Sequence, residues 1–380
     1  MKKKICAIVV VLAFFSFSTT VYAKPEVSAH SAVLTEKNTG RILYEKNAEQ
    51  RMPMASTTKI MTAITALESE VPLDDLIEIS DSAANVEGSS MYLKAGEKMT
   101  MRELLYGLML SSGNDAAVAV AEAVSGSQEE FVKMMNEKAA KIGAKNTHFT
   151  NPNGLPDDGH YSTAADIAKL TSYALSNNVF AEIVSTPIYK IDGSEKAYPR
   201  TLSNHNKLLK MYEGCKGVKT GFTKAAGRCL VSSAEREGMT LICVTLNAPD
   251  DWNDHMQLFD YAFERFKYKK IVSSDVPVCT AYVSGAVSNE VDVYPGCDVH
   301  FPLEEHEGYN TETEIYPGLS APLKDGEQIG RLIIEMCNRK AEIPLVVHNE
   351  IEAEKITKKL GTQIADRLKS FFTEWLDLVK

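Results

Sequence analysis

Residues 54–62 read Met54-Ala55-Ser56-Thr57-Thr58-Lys59-Ile60-Met61-Thr62. Apolar residues then recur at Ile60, Ile64 and Leu67, the spacing of one helical face. Ser56 and Lys59 therefore belong to the start of a helix, where residues three apart share a face. An amine is set beside a hydroxyl. A free serine hydroxyl is a poor nucleophile at neutral pH and needs an adjacent base. Lysine serves as that base only where burial or a neighbouring cation lowers its pKa. The helix start adds backbone N–H groups and positive potential at the same place. Alone, Ser-x-x-Lys is weak evidence, because it arises easily by chance and a solvated surface pair is its default reading.

Two further segments change the weight of that pair. Ser112-Gly113-Asn114 follows a helix signalled by the capping box Thr100 and Glu103, and precedes a small-residue helix from Ala116 to Val124. Its hydroxyl and carboxamide are suited to relaying a proton and holding a substrate amide. The similar Ser176-Asn177-Asn178 shows how readily such a pattern is a plain helix cap. Lys219-Thr220-Gly221 lies late in a strand-like run and combines a charge, a hydroxyl and a residue that admits close backbone approach. Its bland alternative is an edge strand ending in a turn. The three segments occur in order at a helix start, a turn and a strand, and that combination is specific where its parts are not.

Working outward, Ala32–Leu34 and Ile42–Tyr44 flank Asn38-Thr39-Gly40 and read as a hairpin. Gly217–Phe222, Cys229–Ala234 and Leu241–Leu246 follow one another closely, which favours antiparallel pairing. Between these ends lie helices, one opened by Thr163 with Asp166, and a loop over residues 147–161 rich in Asn, Pro, Gly and Asp. The pattern predicts one α/β layered domain over residues 24–271. Short strand-like runs such as Val276–Val283, Val291–Val293 and Arg331–Met336 predict a small all-β domain over 272–348. Over 349–380, Ile356, Leu360, Ile364, Leu368, Phe371, Phe372 and Trp375 fall on one side of a helical wheel, predicting an amphipathic helix.

Residues 1–23 have a basic start at Lys2, Lys3 and Lys4, an apolar stretch from Ile5 to Phe17, and Val21-Tyr22-Ala23 as a cleavage site. They read as a signal peptide, and the apolar stretch is short for a membrane span. An uncleaved anchor is the alternative, and either reading exports the chain. The formal charge of −10 falls to −13 once the three lysines of this segment leave, which disfavours a nucleic-acid partner. Cys215, Cys229, Cys243, Cys279, Cys297 and Cys337 remain, widely spaced. That spacing argues against a zinc site and leaves free thiols and disulfides both open.

Ser-x-x-Lys, Ser-x-Asn and Lys-Thr-Gly in this order resemble the signature of penicillin-binding proteins and serine β-lactamases. Met54–Thr62, Ser111-Ser112-Gly113-Asn114-Asp115-Ala116, Asn151-Pro152-Asn153-Gly154-Leu155-Pro156 and Gly217–Thr223 resemble the low-molecular-mass D-alanyl-D-alanine carboxypeptidases more closely. Asn247–Trp252 resembles the sporulation-associated branch. The resemblance implies an antiparallel sheet flanked by helices, then a small β domain and an amphipathic helix. It implies Ser56 as nucleophile, Lys59 as base and Ser112 as proton relay. Asn114 would line the groove, Lys219 and Thr220 would bind the terminal carboxylate, and Gly221 would let the substrate backbone approach closely. The N–H groups of Ser56 and Phe222 would form the oxyanion hole. The implied partners are peptidoglycan stem peptides ending in D-Ala-D-Ala and β-lactams, with no metal or organic cofactor. The helix over 349–380 would rest on the outer face of the cytoplasmic membrane, or else dock on the protein or a second copy. Some relatives carry an arginine upstream of Lys-Thr-Gly and a histidine after it, where His205 and Phe222 stand here. His205 is expected to be structural. The same residues allow a β-lactamase, a D,D-endopeptidase or an inactive wall-binding module.

Overall fold

The computed structural model describes residues 24–193, 198–337, 339–354 and 364–370. The expected signal peptide over 1–23 and most of the expected helix over 349–380 lie outside them. The chain divides into two compact units, the first holding residues up to Glu235 together with Thr240–Arg265.

The first unit is built on a five-stranded sheet. The expected hairpin is present as β1 (Ser31–Glu36) and β2 (Ile42–Lys46), paired antiparallel. Short ribbons follow: β3 (Leu76–Glu78) with β4 (Lys98–Thr100), and β5 (Ile188–Ile191) with β6 (Arg200–Ser203). The sheet is completed by β7 (Cys215–Thr223), β8 (Gly227–Arg236) and β9 (Met239–Leu246), in the order β2-β1-β9-β8-β7. Between β8 and β9 stand only Glu237 and Gly238, both at positive φ (49° and 79°), the requirement of a tight hairpin turn. β1, joining the two ends of the unit, is buried along its whole length. β7 is left at the sheet edge.

Helices α1 (Lys59–Leu67), α2 (Asp81–Ala84), α3 (Met101–Leu110), α4 (Asn114–Ser125), α5 (Gln128–Ile142), α6 (Ala164–Ala174), α7 (Asn178–Ser185), α8 (Leu208–Met211) and α9 (Asp251–Arg265) complete the unit. Local sequence explains their starts. Thr100 and Glu103 form the reciprocal capping box of α3, and Thr163 accepts from the Asp166 N–H at the start of α6. The decoy Ser176-Asn177-Asn178 is a cap, Asn177 accepting from the N–H groups of Val179 and Phe180. In α4 the run Asn114–Ala121 is buried, and its alanines let neighbouring helices approach closely.

The second unit contains Arg236–Met239 and the residues from Phe266 onward. β10 (Lys267–Val272) pairs with β13 (Val299–Leu303), while β11 (Cys279–Tyr282), β12 (Glu290–Pro295), β14 (Tyr309–Ile315), β15 (Gln328–Met336) and β16 (Arg339–Val346) form a sheet in the order β11-β12-β16-β15-β14. Its core gathers Val283, Val293, Leu303, Ile329, Ile334 and Leu345. The first unit ends at Arg265, six residues before the 271/272 boundary expected from sequence. Lys267–Val272 is rich in lysine, and its strand character depends on a partner thirty residues away. The helix expected from residue 349 is corrected at its start: Ile351 and Ala353 form bridges with Leu323 and Ala286 of the β domain, while residues 364–370 are helical, with Ile364 and Leu368 exposed. The six cysteines named above are all free thiols.

One buried ion pair braces the loop preceding α3. Arg200 on β6 grips both Glu97 oxygens at 2.7 Å, and donates to the carbonyls of Met91 and Tyr92 at 2.8 Å. The side chains are 9% and 2% exposed. Removing one partner leaves a buried, unpaired charge. Arg200→Met should therefore lower unfolding free energy by about 3–5 kcal/mol in denaturant titration. A loss below about 1 kcal/mol would place the pair with dispensable surface bridges.

Candidate active site

Ser56 sits in a 3-10 turn, Ala55–Thr58, that runs directly into α1. An α-helical first turn was expected; the tighter turn eclipses residues three apart and stacks Lys59 over Ser56. Thr57 and Thr58 donate side-chain hydrogen bonds to the carbonyls of Met54 (2.7 Å) and Ala55 (2.8 Å), which tightens the turn. Ala55 itself has φ +47°, in the left-handed region that a non-glycine residue enters only under constraint.

The Lys59 amine is fully buried and lies 3.0 Å from Ser56 Oγ, 2.7 Å from Asn114 Oδ1 and 2.5 Å from the Asn153 carbonyl oxygen. None of these partners is a carboxylate. Burial, and then the Lys219 charge, push its pKa well below the ordinary lysine value, against an opposing pull from Asp115. A neutral amine has two N–H donors and one lone pair. The Asn114 amide is oriented by its Nδ2 donating to the Glu87 carbonyl at 2.7 Å, so its oxygen faces Lys59. Asn114 Oδ1 and Asn153 O can only accept, so they take both N–H groups. The lone pair is left for the Ser56 hydroxyl to donate to. This is the geometry of a general base.

The other expected residues gather around this pair. Ser112, between α3 and α4, has φ +59° and makes no side-chain hydrogen bond among the described residues. Lys219 is 1% exposed, donates to the Thr220 carbonyl at 2.9 Å, and is pushed down to about 7 by burial. Ser56, Ser112, Thr220, Gly221 and Phe222 line one groove of about 460 Å³. His205, expected to be structural, lines the same groove. Burial, and then Lys219, lower its pKa and keep it neutral.

Gly221 plays a different part from the one expected. A Cβ there would stand 3.0 Å from Ser56 N and 3.2 Å from both Ala55 Cβ and Met54 O. The space reserved by the missing side chain is filled by the protein's own nucleophile turn, bringing the β7 edge against Ser56. Gly154, at φ +88°, is held as tightly from the other side, its added Cβ 2.1 Å from Ala55 O. The loop over 147–161 thus delivers both Gly154 and the Asn153 carbonyl.

Sequence reasoning missed several contributors. Glu87 and Ser89 supply the carbonyls that hold Asn114, the latter accepting from its backbone N–H at 2.7 Å. His160, 4% exposed, accepts at Nδ1 from the Thr150 N–H and therefore donates from Nε2 to Thr58 Oγ1 at 2.7 Å. Arg228, Asp251 and Trp252 complete the groove wall. No local pattern marks Glu87, Ser89, His160 or Arg228, since each works through a contact distant in sequence, and the Asn247–Trp252 stretch noted above gave Asp251 and Trp252 no role.

A strained serine turn, a buried lysine facing it, and a sheet edge ending Lys-Thr-Gly define a serine acyl-transfer enzyme of the penicillin-binding fold. Comparison with known proteins makes the assignment specific. Residues 18–250 match the D-alanyl-D-alanine carboxypeptidase family, and residues 266–353 match the C-terminal domain of penicillin-binding protein 5. The D-alanyl-D-alanine carboxypeptidase DacF of Bacillus subtilis is 33% identical across 95% of this chain and 96% of its own length. DacC of Escherichia coli, with the same activity in its name, is 32% identical across 95% of each. The crystal structure of penicillin-binding protein 5 from Haemophilus influenzae superposes with a TM-score of 0.73 at 28% identity, covering 87% of this chain and 99% of that one. The chain belongs to the D-alanyl-D-alanine carboxypeptidase family, and is a serine peptidase with an all-β C-terminal domain.

Two neutral histidines tie stability to pH. Burial pushes His160 down to about 4, and His255, enclosed by Ser232 and Thr245, down to about 3, from an ordinary 6.5. As pH falls below 6.5 the unfolded chain takes up these protons first. Their contribution is complete above that value and is lost towards the folded-state values. The melting temperature should fall between pH 6.5 and 4, and His160→Gln should make the decline shallower. An unchanged slope in the variant would refute the assignment.

Proposed function

We propose that the chain removes the terminal D-alanine from peptidoglycan stem peptides through a Ser56 acyl-enzyme, and that β-lactams acylate the same serine. The observation that carries this reading is the contact set of Lys59, whose lone pair has only the Ser56 hydroxyl to receive. Ser56 Oγ attacks the carbonyl between the last two D-alanines as its proton passes to Lys59. The tetrahedral oxyanion is met by the N–H groups of Ser56 and Phe222, a reading supported by the close packing of Gly221, the residue before Phe222, on Ser56 N. Such a donor is worth about 3 kcal/mol in acyl-transfer enzymes. The C–N bond breaks as Ser112 passes the proton to the leaving amine, and D-alanine departs. One water then attacks the ester, and its proton returns through Lys59 to Ser56. Asn114 orients the base and the substrate amide, while Lys219 and Thr220 face the C-terminal side.

A fluorescent penicillin should label the protein covalently, and Ser56→Ala should abolish labelling. Lys59→Arg puts a permanent cation in place of the amine and cannot supply a lone pair, so acylation should slow by about 100-fold or more. The wild-type rate should rise with pH as Lys59 gives up its proton. Labelling that survives Ser56→Ala would remove the acyl-enzyme.

The same proposal places the enzyme outside the cytoplasm, exported by residues 1–23 and held at the membrane surface by the C-terminal segment that contains the helical residues 364–370. Among the described residues no helix is long and apolar enough to cross a membrane. Ile364 and Leu368, one turn apart, are each just over half exposed and suit an interfacial face. Residues 24–380 should bind lipid vesicles more tightly than residues 24–348. Equal binding would exclude the anchor.

A further inference from the structure

We propose that Arg228 receives the C-terminal carboxylate of the substrate and so sets the preference of this site for free chain ends. This inference rests on the carboxypeptidase reading above and names the residue that makes the enzyme an exopeptidase. Arg228 lies on β8 directly opposite Phe222 of β7, one strand in from the sheet edge that borders Ser56. Its side chain, 42% exposed, lines the groove shared by Ser56, Ser112 and Thr220.

The guanidinium is positioned but not saturated. Its Nη2 donates to Asp251 Oδ1 at 2.5 Å, and its Cζ lies 5.7 Å from the centre of the Trp252 ring. Nε is buried with no hydrogen-bond partner. Asp251 is itself 3% exposed in the first turn of the fifteen-residue α9, so it is a fixed bracket. A guanidinium held at one edge and unpaired elsewhere is pre-organised for a second carboxylate, and the α9 N-terminus adds positive potential.

The other groups near the groove are weaker claimants. Lys219 is pushed down to about 7, which leaves it partly discharged at neutral pH, and it donates to its own strand. His205 is held neutral. Arginine keeps its charge throughout. Asp251 offsets part of that charge, and a substrate lacking the carboxylate gains nothing from what remains.

The test uses the full chain and two matched acyl-D-alanyl thioesters, one with a carboxylate on the leaving group and one with its methyl ester. Loss of a charge-assisted hydrogen bond predicts that Arg228→Gln lowers kcat/KM for the carboxylate form by about 10- to 100-fold, chiefly through KM. The methyl ester should change by less than about twofold, and Arg228→Lys should restore part of the preference. Equal losses on both thioesters would show a structural role, and no loss on either would show that Lys219 and Thr220 read the carboxylate alone; both overturn the inference. A wild-type enzyme that turns over the thioesters but releases no D-alanine from a peptide ending in D-Ala-D-Ala would overturn the carboxypeptidase reading and this one with it.

Discussion

The molecule depends on a lysine buried without a counter-charge. An ammonium in that position is expensive to desolvate, and the nearby Lys219 charge adds to the penalty, so the neutral amine is favoured. Among the described residues, the burial that lowers the Lys59 pKa also leaves its lone pair no partner other than the Ser56 hydroxyl. Asn114 and Asn153 present oxygens only, which leaves Ser56. The lowered pKa of Lys59, its orientation and its contact with the Ser56 hydroxyl thus come from one packing arrangement.

Holding that arrangement requires backbones to approach more closely than side chains allow. Gly154 and Gly221 both press on the Ala55–Ser56 segment: a Cβ on Gly154 would collide with it, and one on Gly221 would crowd it at 3.0 Å. Ala55 and Ser112 both adopt left-handed conformations on the rim of the site. Such strain persists only where surrounding contacts over-determine it. Here those contacts are the Thr57 and Thr58 hydroxyls, the neutral His160, and the loop braced by Arg200 and Glu97.

Much of this was legible because it is encoded locally. The β1–β2 hairpin, the caps at Thr100 and Thr163, and the turn before Asn114 each depend on residues within a few positions of one another. The motif residues were legible because a serine, a lysine and a Lys-Thr-Gly strand carry chemistry in their side chains. Glu87 and Asn153 were less so, because they act through main-chain carbonyls that any residue could provide. Arg200, Arg228 and the β10 strand take their meaning from partners between 23 and 103 residues away.

The sequence by itself determined the family and the order of the elements and singled out Ser56 and Lys59, since these rest on motif residues and short-range periodicity. Only the tertiary structure decided which form of Lys59 is favoured, what occupies the space that Gly221 leaves, and which cation faces the groove. Those are properties of burial and of the distance between segments far apart in the chain, and a linear pattern carries neither.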